Sequence, residues 1–147
     1  MLKTQVKTFE ALTKRELYDL LQLRSDIFVI EQDCLYRDID GKDFKALHIL
    51  GYIDKKIVAY ARIFKPGDYY AESSMGRVIV AKEKRDFKYG HIIMKKSIEA
   101  IKDHYNTTSV RIMAQSYLKK FYSNFGFIQV GEEFLDDGIP HIIMIKE

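Results

Sequence analysis

Apolar positions change their spacing along the chain, and each change marks an element boundary. Residues 3–9 alternate and predict a short strand. Thr13 stands three positions before Glu16, the pattern of a capping box. Leu17, Leu20, Leu21, Arg24, Ile27 and Phe28 then recur at helical spacing, which predicts a helix over 14–30. Residues 31–43 hold Asp, Gly and Lys and read as a loop. Two apolar runs, His48–Tyr52 and Ile57–Phe64, flank Asp54-Lys55-Lys56 and predict a hairpin. Pro66-Gly67-Asp68 is a turn, and Met75–Ala81 contains Val78-Ile79-Val80, a buried strand by composition. A charged loop over 82–88 leads to an amphipathic helix over 89–104. A short strand at Val110–Ala114, a helix over 116–125, and strands at Phe127–Val130 and His141–Ile145 complete the chain. The pattern predicts an α/β (α+β) arrangement, a mixed sheet with helices on it.

Composition narrows this picture. The chain has 147 residues, 47% hydrophobic and 31% charged, enough for the core of one domain (1–147) and too apolar for disorder. No apolar run approaches the ~20 residues of a membrane span, so no membrane association is expected. The first residues show no apolar signal region, and Cys34 has no partner for an internal disulfide, so the cytoplasm is the expected compartment. Twenty-four Lys and Arg against 21 Asp and Glu give a net charge of +3, too weak to argue for nucleic acid. The distribution says more than the sum. Lys82–Lys96 holds six basic and two acidic residues and would suit an anion. Glu31–Asp43 holds five acids against two bases, and Gly131–Gly138 holds four acids and no base; both would suit a cation.

Two local patterns carry chemistry. In the first, the strand around Val78-Ile79-Val80 delivers the loop Arg85-Asp86-Phe87-Lys88-Tyr89-Gly90 to a helix that starts near His91. Free N–H groups and the helix dipole at such a start attract anions. Gly90 permits close approach or positive φ, and Arg85 and Lys88 add charge for phosphate. In the second, a helix carrying Tyr117 and Tyr122 ends in Asn124-Phe125-Gly126-Phe127, with Gly126 as its stop. Either tyrosine could pack in the core or donate a proton, since a phenol with a pKa near ~10 is protonated at neutral pH.

The order of elements and both patterns resemble the GNAT acetyltransferases over almost the whole chain, and more narrowly their ElaA-like branch. The residues that carry the resemblance are Arg24-x-x-x-Phe28-x-x-Glu31-Gln32, Tyr36-x-Asp38-x-Asp40-Gly41-x-Asp43, His48, Gly76-Arg77-Val78-x-Val80, Arg85-x-x-x-x-Gly90 and Gly138-Ile139-Pro140-His141. The resemblance implies the GNAT acyl-CoA N-acyltransferase fold, a mixed, mostly antiparallel sheet flanked by helices. It also implies acetyl-CoA (coenzyme A) as co-substrate. The backbone of Val78, Ile79 and Val80 would hold the pantetheine arm, and Arg85, Asp86, Phe87, Lys88, Tyr89, Gly90 and His91 the pyrophosphate. Lys88 departs from the family pattern, which has glycine there. Tyr122, four residues before Gly126, matches the family's proton donor; Tyr117 does not. The acceptor would lie among Arg24, Gln32, Asp38, Asp40, Asp43 and His141.

An amine must lose a proton before it can attack a thioester. Glu31, His48, Asp40 and His141 are the candidate acceptors of that proton, Glu31 and His48 foremost. A basic phosphate site beside an acidic rim suits a cationic partner, so the expected acceptor is a small-molecule or peptide amine. No cluster has metal-ligand spacing, and no metal is expected. A coenzyme-A-binding sensor without catalysis, or an interaction domain on the same fold, is the alternative. A homodimer is left open by the sequence.

Overall fold

The computed structural model describes residues 1–147. Its strands are β1 (Lys3–Thr8), β2 (Leu47–Ile53), β3 (Lys56–Phe64), β4 (Ser73–Val80), β5 (Val110–Gln115), β6 (Ile128–Asp136) and β7 (Ile139–Lys146). They form one sheet in the order β1-β2-β3-β4-β5-β7-β6. Every neighbouring pair is antiparallel except β4 and β5. The helices are α1 (Lys14–Arg24), α2 (Tyr89–Tyr105) and α3 (Lys119–Ser123). None is long and apolar enough to cross a membrane.

β3 is buried from Ile57 to Phe64, which explains why it reads as an unbroken apolar run rather than an alternating one. Its two faces serve different helices. Gly51 on β2 lies against Ala59 of β3 and Ile93 of α2, which places α2 on the face of the odd-numbered β3 residues. Tyr60 and Arg62 point the other way, to Arg24 at the end of α1. Helices thus cover both faces of the sheet. Each fully buried Leu or Ile in this core, such as Leu20, Ile49 or Ile101, contributes about 1.5–3 kcal/mol by leaving water.

The first helix departs from the sequence expectation. The capping box forms: Thr13 Oγ1 accepts from the Glu16 N–H at 3.0 Å, and the Glu16 carboxylate accepts from the Thr13 N–H at 2.9 Å. After Arg24 the helix widens into a π-helical segment, Ser25–Glu31. There the Gln32 N–H reaches back five residues to the Ile27 carbonyl at 3.0 Å. Residues five apart therefore stack on one face, which a 3.6-residue period does not foresee. The C-terminal strands also differ. β6 and β7 extend to Asp136 and from Ile139, joined by Asp137-Gly138 with φ of 51° and 76°. That is a two-residue turn of the kind Asp-Gly favours.

Candidate active site

The site begins as a fault in the sheet. β3 and β4 pair with one offset at Ala59↔Val80 and Tyr60↔Ile79, and with another from Arg62↔Gly76 onward. The extra residue on β4 is absorbed as a bulge, with Arg77 at φ 50°. On its other side, β4 pairs with β5 only at Ser73↔Val110 and Ser74↔Arg111. Beyond that the two strands part, and the β5-facing edge of Gly76–Val80 has no strand partner. A cavity of about 640 Å³ opens in the gap. Its walls are Met75–Val80, Ile112–Gln115, the π-helical segment, the start of α2, α3 and the β6–β7 hairpin.

One wall carries the groups predicted for coenzyme A. Val78, Ile79, Val80, Arg85, Lys88, Gly90 and His91 all line the cavity. Asp86, Phe87 and Tyr89 do not; Phe87 is exposed and stacks on Tyr89, with ring centroids 5.5 Å apart. The charged loop is a turn of 3-10 helix, Lys82–Phe87, and α2 follows with no side chain capping its first N–H groups. The left-handed residue here is Lys88, at φ 59°, and not Gly90. This accounts for a glycine at that place in the family pattern. A Cβ on Gly90 would meet nothing nearer than the Phe121 ring at 3.7 Å, so the protein's own packing does not demand glycine there. A free β4 edge, uncapped helix N–H groups and two cations together fit a pantetheine arm that ends in a pyrophosphate.

Arg85 is not idle. Its Nε donates to the Val80 carbonyl at 3.2 Å, and its guanidinium holds Glu31 bidentately at 2.5 and 2.7 Å. The Arg85 hydrogen bonds hold the Glu31 carboxyl below its usual range, against the opposing effect of burial. Gln32 accepts from the Gln115 amide at 3.2 Å, a second link across the cleft.

Tyr122 is placed by the end of α3. The Phe127 N–H bonds the Tyr122 carbonyl at 3.4 Å, and the Gly126 N–H bonds the Ser123 carbonyl at 3.0 Å, with Gly126 at φ 93°. These are the paired bonds of a Schellman stop. They turn the chain sharply while Tyr122 stays 9% exposed on the cavity wall. Burial, with a smaller effect of Tyr117, pushes the Tyr122 phenol up to about 12. Its hydroxyl is therefore protonated at neutral pH. Tyr117 also lines the cavity but is largely exposed.

Several residues expected near the acceptor lie elsewhere. Arg24, Asp38, Asp40, Asp43 and His48 are absent from the cavity wall. Arg24 is sealed in the interior, bonded to Asp43 at 2.7 Å and to Asp38 at 3.1 Å. Arg62 joins the same cluster through Asp43 at 3.0 Å and Asp40 at 2.6 and 3.0 Å. Arg77 completes it, 2.8 Å from Asp38 and sandwiched by Phe28 and Tyr36. Three carboxylates thus meet three guanidiniums, so Asp38, Asp40 and Asp43 are neutralised by arginines and do not form a free anionic rim. His48 is fully buried, with Nδ1 on the Tyr60 hydroxyl at 2.5 Å and Nε2 on the Asp43 carbonyl at 3.0 Å. The cavity does receive Glu31, Gln32 and His141. It also receives Gln115, Tyr36, Asp136 and Asp137, which were not singled out as site residues. The acid run at 131–138 was the signal available for the last two.

A sheet split beside an uncapped helix, with a buried tyrosine between, is the arrangement that the resemblance to the GNAT acyltransferases implies. Residues 20–147 match the model of the acetyltransferase (GNAT) domain family, and the chain belongs to that family. It is 44% identical to protein ElaA of Escherichia coli K12, over all of this chain and 97% of that one. It is 39% identical to a UPF0039 protein of Synechocystis, over 93% of this chain and 90% of that one. The crystal structure of Escherichia coli ElaA superposes over both whole chains with a TM-score of 0.93 and 43% identity. An acyl-CoA N-acyltransferase from Pseudomonas aeruginosa does so with a TM-score of 0.95 and 35% identity.

Proposed function

We propose that the chain transfers an acetyl group from acetyl-coenzyme A directly to a positively charged primary amine, a small amine or the amine of a peptide. The observation that carries this reading is the polarity of one cavity. It holds Lys88 and Arg85, the latter paired with Glu31, beside the start of α2, and Asp136 and Asp137, which form no ion pair, on the β6–β7 hairpin. The first pair suits phosphate; the second suits an ammonium group. Between charged groups the walls are apolar, with Phe28, Ile79, Ile112 and Ile139 among them, which favours an amine with an apolar body. Tyr122 is the proposed donor to the departing thiolate. A thiol pKa near ~8.5 makes that protonation favourable at neutral pH.

The test has two arms. Calorimetry with coenzyme A should show several-fold weaker binding for Arg85→Ala, in a variant that still folds. Release of free thiol from acetyl-coenzyme A should then be followed against neutral, anionic and cationic amines, with cationic ones preferred. In that assay Tyr122→Phe, which keeps the ring, should lower turnover by roughly 10²–10⁴-fold while coenzyme A affinity and melting temperature hold. Loss of turnover in Tyr117→Phe but not in Tyr122→Phe would reassign the donor. Wild-type binding of coenzyme A without turnover on any amine would instead favour the sensor.

A further inference from the structure

Direct transfer to an amine needs a proton acceptor, because a free alkyl ammonium has a pKa near ~10.4 and no lone pair to attack with. Four side chains could serve, and the structure commits three of them elsewhere. Glu31 is clasped bidentately by Arg85. Asp40 is clasped by Arg62. Both ring nitrogens of His48 are engaged in the interior.

His141 is different. It stands on β7 between Gln115 of β5 and Phe134 of β6, and it lines the cavity. Its Nδ1 lies 2.7 Å from the Ile139 carbonyl oxygen. A carbonyl can only accept, so Nδ1 carries the ring hydrogen and Nε2 is left with a bare lone pair. Nε2 has no partner in the protein and is not sealed from solvent. The ring is held by stacking on Phe134, at 6.3 Å and 28° between planes. β6 loses register with β7 between Val130 and Phe134, immediately beside this position, and such faults commonly re-aim a side chain at a site. The charged and titratable groups that share its cavity are Glu31, Cys34, Tyr36, Arg77, Asp136 and Asp137 and, around the start of α2 and on the α3 wall, Arg85, Lys88, His91, Tyr117 and Tyr122. Glu31 and Arg85 pair with each other and Arg77 pairs with Asp38; of the rest, Lys88 is the cation at the start of α2 and the two aspartates are the anions on the hairpin that ends in the strand of His141, placed to draw a cationic amine towards the ring.

We infer that His141 is the proton acceptor for the attacking amine, an inference that rests on the amine-acyltransferase reading above. Nε2 takes one proton from the ammonium group. The freed nitrogen lone pair forms the C–N bond to the thioester carbonyl carbon, and the C–S bond breaks. The thiolate takes the proton of the Tyr122 hydroxyl. The surplus proton on the new amide nitrogen restores that hydroxyl through solvent, and the imidazolium proton also passes to solvent. The sum is an amide, a free thiol and one proton.

Two measurements on the whole chain test this. Nitrogen-15 NMR, with the His141 signals assigned by their loss in His141→Gln, should show hydrogen on Nδ1 and none on Nε2; the opposite tautomer would overturn the assignment. In the thiol-release assay, His141→Gln should lower kcat by roughly 10²–10⁴-fold with an unchanged KM for acetyl-coenzyme A. His141→Ala should regain part of its turnover when free imidazole is added, which a merely structural histidine would not show. Wild-type turnover in His141→Gln, or a deficit in His141→Ala that imidazole leaves untouched, refutes the role while the transferase reading stands. Coenzyme A binding with no thiol release by the wild type would remove that reading, and this role with it.

Discussion

At the scale of single residues, Lys88 and Gly90 hold opposite places from those their side chains suggest. The left-handed conformation falls on Lys88, at φ 59°, where a side chain costs about 1–2 kcal/mol. Glycine would relieve that strain and lose about 0.5–1 kcal/mol to its own entropy on folding. Lys88→Gly should therefore stabilise the fold by up to about 1.5 kcal/mol in urea titration. It should also weaken coenzyme A binding, because the cation at the cavity is gone. Lys88→Ala is the control: it loses the same charge and keeps the strain, so it should weaken binding without any gain in stability. Equal stability of the two variants would mean that the left-handed turn carries no cost. Gly90 is helical, and a Cβ there would make only ordinary contacts, with the Phe121 ring at 3.7 Å and Val80 at 3.9 Å. The protein's own packing does not require its smallness. Gly90→Ala should hold its melting temperature and still bind coenzyme A less tightly.

At the scale of elements, the largest gap between sequence and structure is the segment from Arg24 to Asp43. Pattern reading makes it a helix followed by an acidic loop, and charge makes the loop a cation site. Neither period nor charge count reveals that Arg24, Arg62 and Arg77, spread over 54 residues of sequence, converge on Asp38, Asp40 and Asp43. Their meeting depends on the sheet bringing β3 and β4 under α1, which is long-range information. The widened turn after Arg24 is equally hidden, because its apolar residues still repeat at a helical period. A buried network of this kind is unforgiving of losing one member. Asp43 accepts from both Arg24 and Arg62, so Asp43→Asn leaves two buried guanidiniums short of a counter-charge. The expected cost is about 3–5 kcal/mol of unfolding free energy. A variant of unchanged stability but altered amine preference would restore the loop as acceptor surface.

At the scale of the whole molecule, what was legible came from local chemistry. The capping box at Thr13, the stop at Gly126 and the strand–loop–helix unit around Arg85 are each written in a few adjacent residues, and each forms. The β6–β7 hairpin was half legible. Asp137-Gly138 is a strong turn signal, but Glu132 and Glu133 interrupt the apolar alternation because β6 is an outer strand with solvent beside it. Leu47 and Ile49 on either side of His48 already suit a half-buried, hydrogen-bonded strand histidine; its complete sealing goes further and has a consequence for the molecule's response to acid. Burial, aided by nearby Arg24 and Arg62 and opposed by Asp43, holds its imidazole below the usual value. A base whose pKa is depressed by folding binds its proton more readily unfolded, so stability is present above about pH 6.5 and is lost as pH falls below it. The carboxylates act lower. Burial pushes Glu16 up, but its bonds to Lys7, the Thr13 N–H and Tyr52 prevail and bring it down to about 2. Asp40 and Asp43 are likewise held low, against their burial, by Arg62 and Arg24. Their contribution is complete above about pH 4 and is lost below it. Unfolding free energy measured in urea against pH should therefore fall in two stages. The shallow first stage should begin near pH 6.5, with a slope of at most about 1.4 kcal/mol per pH unit, the limit for one proton. The steeper second stage should begin near pH 4. His48→Gln should lower the curve as a whole and abolish the first stage alone. Persistence of that stage in the variant would assign it to another histidine and make His48 indifferent to acid.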